Sequence, residues 1–216
     1  MKLYPDSGVE LNPFMSKNYD KVMNLGSVGL YKRFINQAVA DMNIAPSDNI
    51  LDMGCGTGRN AMLMYQYLGE EGKITGLDIS SEMEEQFLKK FSDKNHVKFV
   101  NKRIDIAFDL DEKFDKVFIS FVIHGFPHDV RDAVIKNAFK HLKPGGEFII
   151  LDFAEFDMDK MPFLHRKIFK AVECKYAFDY IKRDWKKILK GYGFDNFREY
   201  FYMKKYVRLL RSVKEL

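Results

Sequence analysis

Three glycines and two aspartates in the first half of the chain have the types and spacing of a ligand-binding corner. Gly54, Gly56 and Gly58 stand at every second position, between an apolar run typical of a buried strand and a segment that favours a helix. Glycine has no Cβ, so this turn can adopt positive φ and allow a ligand to lie against the backbone. Asp52, just before the first glycine, would repel a pyrophosphate and suits a cationic amine better. Asp78 ends the next apolar run, where a carboxylate can accept both hydroxyls of a ribose.

Five sequence blocks follow one another in a fixed order along the chain. They are Leu51–Gly58, Gly76–Ile79, Asp105–Ile106, Phe114–Phe121 and Leu142–Ile150. Together they resemble the motifs of the class I S-adenosylmethionine-dependent methyltransferases. The resemblance implies an α/β fold with a Rossmann-like, seven-stranded, mostly parallel sheet, helices on both faces and an antiparallel last strand. It also implies S-adenosyl-L-methionine as the cofactor, S-adenosyl-L-homocysteine as the product and methyl transfer as the reaction.

The resemblance also assigns cofactor contacts to individual positions. Met83 is expected near the adenine, and the carboxylate of Asp105 is expected to accept the adenine amino group, with Asp109 and Asp111 as alternatives in the same loop. Tyr19 is expected at the methionyl end of the cofactor, although a core aromatic on a helix is an equal interpretation. The full set of expected cofactor residues is Tyr19, Asp52, Gly54, Gly56, Thr57, Gly58, Asn60, Asp78, Ile79, Met83, Asp105, Ile106, Ser120 and Phe121.

Two histidines follow the fourth predicted strand, at the edge where open α/β sheets bind their ligands. His124 and His128 are therefore candidates for catalysis, together with Tyr19. A histidine with an ordinary pKa near 6.5 can act as a general base at neutral pH. Hydrogen bonding to the backbone alone is the alternative for each histidine. A base is required only where the methyl acceptor must lose a proton.

The acceptor is constrained by two further segments. Asn18–Arg33 resembles the N-terminal block of the ubiquinone and menaquinone biosynthesis C-methyltransferases, whereas the Gly-x-Arg-Asn sequence that those enzymes carry after strand four is absent. In this fold the segment after strand five, Ala154–Ala177, lids the acceptor pocket, and its Met and Phe residues favour an apolar acceptor. We therefore expect a small apolar or aromatic acceptor such as a quinone precursor. A phospholipid-amine or other lipid methyltransferase at a membrane surface, and a cofactor-binding protein without catalysis, are the alternatives.

Apolar residues at helical spacing predict two helices before the core, the first from Phe14 to Leu25 and the second from Leu30 to Val39, so we expect one compact enzyme with an N-terminal helical cap over residues 1–43 and a core over residues 44–216. Apolar residues make up 46% of the chain, enough for a real core. Cys55 and Cys174 lack the spacing of a metal site, so no metal is predicted. The N-terminus has no apolar signal-peptide region, and no apolar run could span a bilayer. These features predict a cytoplasmic protein, either a monomer or a homodimer.

Positive charge is concentrated at the C-terminal end. The net charge of the chain is +4, yet from Ile181 onward there are eleven basic and four acidic residues. A solvated lysine-rich surface is one interpretation, since charge runs usually have that role. Peripheral contact with an anionic membrane, or with an acidic substrate, is the other. A nucleic-acid partner is not expected, because there is no appended binding domain and no Asn-Pro-Pro-Tyr type motif after strand four.

Overall fold

The computed structural model describes residues 4, 7 and 30–215. Its strands are β1 Asn49–Met53, β2 Lys73–Asp78, β3 Val97–Asn101, β4 Phe114–Ser120, β5 Leu142–Phe153, β6 Phe194–Tyr202 and β7 Val207–Lys214. Its helices are α1 Leu30–Asp41, α2 Arg59–Tyr65, α3 Ser81–Lys90, α4 His128–His141, α5 Phe163–Val172, α6 Lys175–Tyr180 and α7 Trp185–Lys190. Short 3-10 turns cover Ile123–Gly125, Met158–Lys160 and Met203–Lys205. The first predicted helix of the cap lies outside the described residues.

The seven strands form one sheet in the order β3-β2-β1-β4-β5-β7-β6. Strands β1 to β5 pair in parallel, and β7 runs antiparallel to both β5 and β6. This is the predicted fold class, including the antiparallel last strand. The chain starts in the middle of the sheet, builds outward to β3, then returns to β4, so ligands are expected where the order reverses, beyond the carboxyl ends of β1 and β4.

Helices cover both faces of the sheet because successive strand residues point to opposite sides. On one face, Ile50 belongs to an apolar cluster that includes Phe34 of α1 and Phe87 of α3. On the other face, Leu51 belongs to a cluster that includes Val134 of α4 and Trp185 of α7. Burial on both faces explains why the central strands read as nearly unbroken apolar runs.

Two helix starts can be compared with the sequence pattern. The apolar pattern predicts a single helix from Phe178 to Leu189, but the chain forms two short helices there, because Asp184 accepts a hydrogen bond from Lys187 N and starts a new helix. The sequence offers Ser80 or Ser81 as the cap of α3, and the structure uses Ser80, whose Oγ accepts from Met83 N at 3.3 Å. Neither feature affects the sheet.

No helix within residues 30–215 is long and apolar enough to cross a membrane.

Candidate active site

The carboxyl ends of β1, β2, β4 and β5 meet at one edge of the sheet, and the candidate residues collect there. Asp52 lies one residue before the end of β1, and its registered neighbour on β2 is Gly76. Asp78 ends β2, while Ser120 ends β4 in register with Leu151 of β5. The parallel register therefore places residues that are far apart in sequence at the same edge.

The glycine turn between β1 and α2 folds back onto β2. Gly54 N and Cys55 N both donate to Leu77 O, at 2.8 and 2.9 Å, and Gly56 N donates to Asp78 Oδ2 at 2.9 Å. At Gly56, with a φ of +52°, a Cβ would meet only Met83 Sδ at 3.9 Å, so the backbone is open to a ligand. The predicted contacts Gly56, Asp78 and Met83 are thus brought together.

Gly58 has a different role from Gly56. Its φ is +74°, and a Cβ there would come within 2.7 Å of the rings of both Phe87 and Phe91. The absent side chain therefore allows α3 to pack against the start of α2. Thr57, beside it, is buried and accepts a hydrogen bond from Lys90 Nζ at 3.3 Å.

The Asp78 carboxylate is held in place by backbone donors. Oδ1 accepts from Ile79 N at 2.8 Å and from Ser80 N at 3.0 Å, in addition to the bond from Gly56 N to Oδ2. Burial raises the pKa of Asp78 while these backbone bonds oppose the rise. A cleft that opens to solvent lies beside this carboxylate, with about 430 Å³ of empty space when its open mouth is included. Its lining residues are Gly54, Leu77, Asp78, Ile79, Lys102, Arg103, Ile104, Asp105, Val122 and Phe126.

Asp52 is a buried acid that lacks a complete set of partners. It is 1% exposed, and no hydrogen-bond donor among the described residues reaches its Oδ2. Burial, with a contribution from the charge of Asp78, raises the pKa of Asp52 to about 7. Asn60 Oδ1 is also buried, and no hydrogen-bond donor among the described residues reaches it. Buried acceptors in such a state fit a ligand that supplies hydrogen-bond donors, as the ammonium of S-adenosylmethionine would.

At the far end of the cleft, Asp105 already has donors of its own. Arg103 donates to its two oxygens from Nε at 3.0 Å and Nη2 at 2.7 Å, and the Tyr4 hydroxyl donates to Oδ2 at 2.7 Å. Burial and the Asp105 carboxylate raise the pKa of Tyr4 to about 12. An adenine amino group would therefore share Asp105 with Arg103 and Tyr4, neither of which the sequence motifs indicated.

Of the residues near Asp105 in this loop, some line the cleft and others do not. Ile104 lines the cleft, whereas the predicted Ile106 is 55% exposed and its carbonyl accepts from Asn137 Nδ2 at 2.7 Å. The alternative acid Asp109 forms an ion pair with Lys140 at 2.9 Å. Asp105 is thus the acid of this loop that borders the cleft.

The end of β4 carries backbone strain. Phe121 has a φ of +51°, in the left-handed region that bulky side chains rarely occupy. Its N–H donates to Leu151 O at 2.9 Å, which fixes the chain as it leaves the sheet. Ser120 and Phe121 therefore lie at the predicted edge. Tyr19, the other candidate for this region, lies outside the described residues.

His124 lies between two carboxylates. Its Nδ1 is 2.8 Å from Asp152 Oδ1, its Nε2 is 3.5 Å from Glu173 Oε2, and its backbone N–H donates to Asp152 Oδ2 at 3.3 Å. Burial lowers the pKa of His124, but the two carboxylates outweigh it and raise the pKa to about 10. The expectation of a base with an ordinary pKa is corrected accordingly: at neutral pH this environment holds an imidazolium, which donates hydrogen bonds but accepts no proton.

His128 lies in a different environment. It is exposed at the first residue of α4. Burial and the charges of Arg183 and Arg131 lower the pKa of His128. The carboxylates of Asp179 and Asp129 oppose this lowering of the pKa without outweighing it, in contrast to Asp152 and Glu173 at His124.

Arg131 supports the turn that carries His124, a role that sequence reasoning missed. Its fully buried guanidinium donates to the carbonyls of Ile123, His124 and Tyr176 at 3.2, 3.0 and 2.7 Å, and to Asp179 Oδ2 at 2.8 Å. The turn is thereby tied to α6. The positioning acid Asp152 was also missed, although its sequence signal was a lone carboxylate inside the apolar fifth strand.

An aromatic wall extends from the site to α5, the helix of the predicted lid. We define it as Phe34, Phe121, Phe153 and Phe169. Ring centroids are 6.2 Å apart for Phe34 and Phe121, 6.1 Å for Phe121 and Phe153, and 5.1 Å for Phe153 and Phe169. The ring of His124 lies 5.0 Å from that of Phe153. The imidazolium therefore borders an apolar surface.

Comparisons with known proteins agree with this geometry. A family model described as a methyltransferase domain matches residues 50–146. The ubiquinone/menaquinone biosynthesis C-methyltransferase UbiE of Francisella tularensis subsp. mediasiatica (strain FSC147) is 27% identical over 203 residues, which cover 84% of this chain and 80% of that protein. A demethylmenaquinone methyltransferase of Symbiobacterium thermophilum is 30% identical over 146 residues, which cover 66% of this chain and 57% of that protein.

A solved structure shares the fold. The crystal structure of a SAM-dependent methyltransferase from Aquifex aeolicus aligns with a TM-score of 0.64 and 17% identity, covering 94% of this chain and 99% of that chain. The glycine turn, the two aspartates beside it, the sheet order and the sequence matches point to the same cofactor. The sequence matches make the chain an S-adenosylmethionine-dependent methyltransferase related in sequence to UbiE, and the order of its sheet gives it the class I fold.

Proposed function

We propose that the acceptor is a small aromatic molecule of the quinone-precursor type, bearing a phenolic hydroxyl and methylated at a ring carbon. The observation that carries the proposal is the aromatic wall beside the charged pair of His124 and Asp152. Aromatic side chains favour offset or edge-to-face contacts with another ring. The relatives named above as UbiE and demethylmenaquinone methyltransferase support a quinone precursor.

The residues of this chain would position the two reactants and exclude water. S-adenosylmethionine, when bound, supplies an electrophilic methyl group on a sulfonium. Asp52 and Asp78 would hold its amine and ribose, and the aromatic wall would hold the acceptor ring. Such positioning of two reactants can contribute roughly 7–11 kcal/mol to lowering a barrier.

The His124 imidazolium gives the site a preference for an acceptor that becomes negatively charged. Asp152 fixes its Nδ1 side at 2.8 Å, leaving Nε2–H on the side of Glu173. A phenolic oxygen there would receive a charge-assisted hydrogen bond that strengthens as the oxygen becomes phenolate. Phenolate character raises the nucleophilicity of the ring carbons, and the phenolic proton would pass to the partly exposed Glu173 carboxylate. After the carbon–carbon bond forms, the displaced ring proton would leave to water and Glu173 would return its proton to the oxygen, so that one proton is released for each methyl group transferred.

A turnover assay with labelled S-adenosylmethionine tests the proposal. We expect methyl transfer to a short-chain demethylmenaquinol and none to phosphatidylethanolamine in vesicles. Phe153→Ala is expected to raise the KM for the quinol substantially, while Tyr67→Ala, which removes a 42% exposed aromatic, leaves it unchanged. Transfer to the phospholipid amine alone would favour the lipid alternative. Cofactor binding without transfer to either acceptor would contradict the proposal.

A further inference from the structure

Helix α5 exposes an apolar face that does not pack into the protein core. Phe163, Leu164, Ile168 and Val172 are 63%, 65%, 53% and 72% exposed. Leu164, Ile168 and Val172 are spaced four residues apart, so they lie along one side of the helix. No residue of α5 is buried. An apolar helical stripe of this kind needs a partner outside the described fold.

The opposite side of α5 is anchored to the enzyme. The Phe169 ring lies 5.1 Å from Phe153 and 5.7 Å from Phe178, and Arg166 Nη1 pairs with Asp159 Oδ1 at 3.1 Å. The helix is thus attached at the edge of the sheet where the acceptor must arrive, and its apolar stripe is turned away from these contacts. The anchored side of α5 continues the aromatic wall, because Phe169 belongs to that wall.

The charge around the stripe favours an anionic partner. Residues 157–172 carry four basic and two acidic side chains. Of the basic residues, Lys167 and Lys170 are exposed on α5, and Lys167 Nζ lies 4.7 Å from the centroid of the Phe163 ring. Exposed apolar residues flanked by lysines are the pattern of a helix that lies in the interface of an anionic membrane.

Many of the C-terminal basic residues, by contrast, are used inside the protein. Arg208 pairs with Glu155 and Glu199 at 2.6 and 2.7 Å, and Arg211 pairs with Glu147 at 2.8 Å. Both arginines are 3% exposed. Their positive charge is therefore balanced within the fold and does not face a membrane.

We infer that α5 is a membrane-docking helix: Phe163, Leu164, Ile168 and Val172 insert into the interface of an anionic lipid bilayer, while Lys167 and Lys170 contact lipid headgroups. This inference rests on the exposure and charge of α5 and does not depend on the acceptor proposed above. Docking there would hold the acceptor edge of the sheet against the lipid surface, from which an apolar molecule could enter the site without crossing water.

Vesicle flotation with the full chain tests the inference. Vesicles of phosphatidylcholine with about a third phosphatidylglycerol are expected to bind the protein at low salt, and pure phosphatidylcholine vesicles much less. Lys167→Ala with Lys170→Ala is expected to weaken binding roughly thirtyfold, about fivefold for each lysine. The matched pair Lys187→Ala with Lys190→Ala removes the same charge from α7 and is expected to leave binding nearly unchanged.

The apolar contribution is measured separately. Leu164→Ser with Ile168→Ser is expected to abolish the binding that remains at high salt, whereas Leu88→Ser, a 51% exposed leucine of α3, has no effect. All these side chains are exposed, so circular dichroism should show a native fold in each variant. Absence of binding to the anionic vesicles, or binding that depends on Lys187 and Lys190 instead of α5, would overturn the inference. The inference would also be overturned if sedimentation velocity showed a dimer that the Leu164→Ser, Ile168→Ser variant dissociates, while the protein did not bind vesicles.

Discussion

The protonation state of His124 has a consequence for stability that can be measured without knowing the acceptor. In the unfolded chain a histidine titrates near 6.5, whereas the carboxylates of Asp152 and Glu173 raise the pKa of His124 in the folded protein to about 10. Because the folded pKa is the higher one, the stabilisation is complete below pH 6.5, declines as pH rises toward 10, and is absent above that.

The size of the effect follows from the two pKa values. Each pH unit between them corresponds to 1.36 kcal/mol, so the free energy of unfolding should fall by up to about 5 kcal/mol across this window. In His124→Gln this decline is absent, and in Asp152→Asn it is reduced, because one of the two carboxylates has lost its charge. Other groups titrate in the same range, so the informative quantity is the difference between wild type and His124→Gln at each pH.

Urea unfolding at intervals between pH 6 and pH 9.5 gives this difference, and the ring carbon signals of His124 in NMR give its pKa directly. A wild-type curve parallel to that of His124→Gln, or a His124 resonance that titrates near 6.5, would refute the assignment of an imidazolium. The proposed hydrogen bond to a phenolate would then lose its donor.

Three other predictions concern the cofactor site and its support. Asp78→Asn should weaken S-adenosylmethionine binding in calorimetry roughly ten- to hundredfold through loss of charge-assisted hydrogen bonds, and an unchanged Kd would exclude Asp78 as a ligand. Because the pKa of Asp52 is raised to about 7, affinity should fall up to about tenfold for each pH unit below 7; a pH dependence that survives in Asp52→Asn would assign it to another group. Arg131→Met should lower the free energy of unfolding by ~3–5 kcal/mol, whereas the control Arg183→Met, at a more exposed arginine, should lower it by under ~1 kcal/mol. Equal losses would show that the buried guanidinium of Arg131 does not stabilise the turn more than an exposed arginine does.

Much of this fold could be predicted because its determinants are local. The glycine turn needs positive φ at Gly54, Gly56 and Gly58, and all three adopt it. The apolar strands and the loop after Asp78 likewise depend on residues close together in sequence. Periodicity and short motifs therefore indicated the strands, while the seven-stranded, mostly parallel sheet and its antiparallel end were implied by the family resemblance that those motifs carry.

The charge state of the site was not predictable in the same way, because it depends on contacts between distant segments. His124 meets Asp152 and Glu173 only after β4, β5 and the end of α5 are assembled. Tyr4 reaches Asp105 across 101 positions of the chain. A single sequence carries no period or spacing that pairs such residues, so an ordinary pKa was the natural starting assumption for His124.

The same limit applies to the lid. The Met- and Phe-rich composition of Ala154–Ala177 predicted an apolar cover for the acceptor, and Phe169 does join the aromatic wall. Whether the remaining apolar residues face inward or outward depends on the angle at which α5 sits on the sheet. That angle depends on tertiary contacts such as those of the Phe169 ring with Phe153 and Phe178, which the helical pattern alone does not indicate.

The most direct test of the proposed function follows the methyl group itself. The enzyme is incubated with S-adenosylmethionine labelled with carbon-13 in its methyl group and with a short-chain demethylmenaquinol, and the product is analysed by carbon NMR. We predict that the label appears as a methyl on a ring carbon, with one equivalent of S-adenosylhomocysteine formed. A label on oxygen would contradict carbon methylation, and no transfer by an enzyme that binds the cofactor would contradict the proposed acceptor.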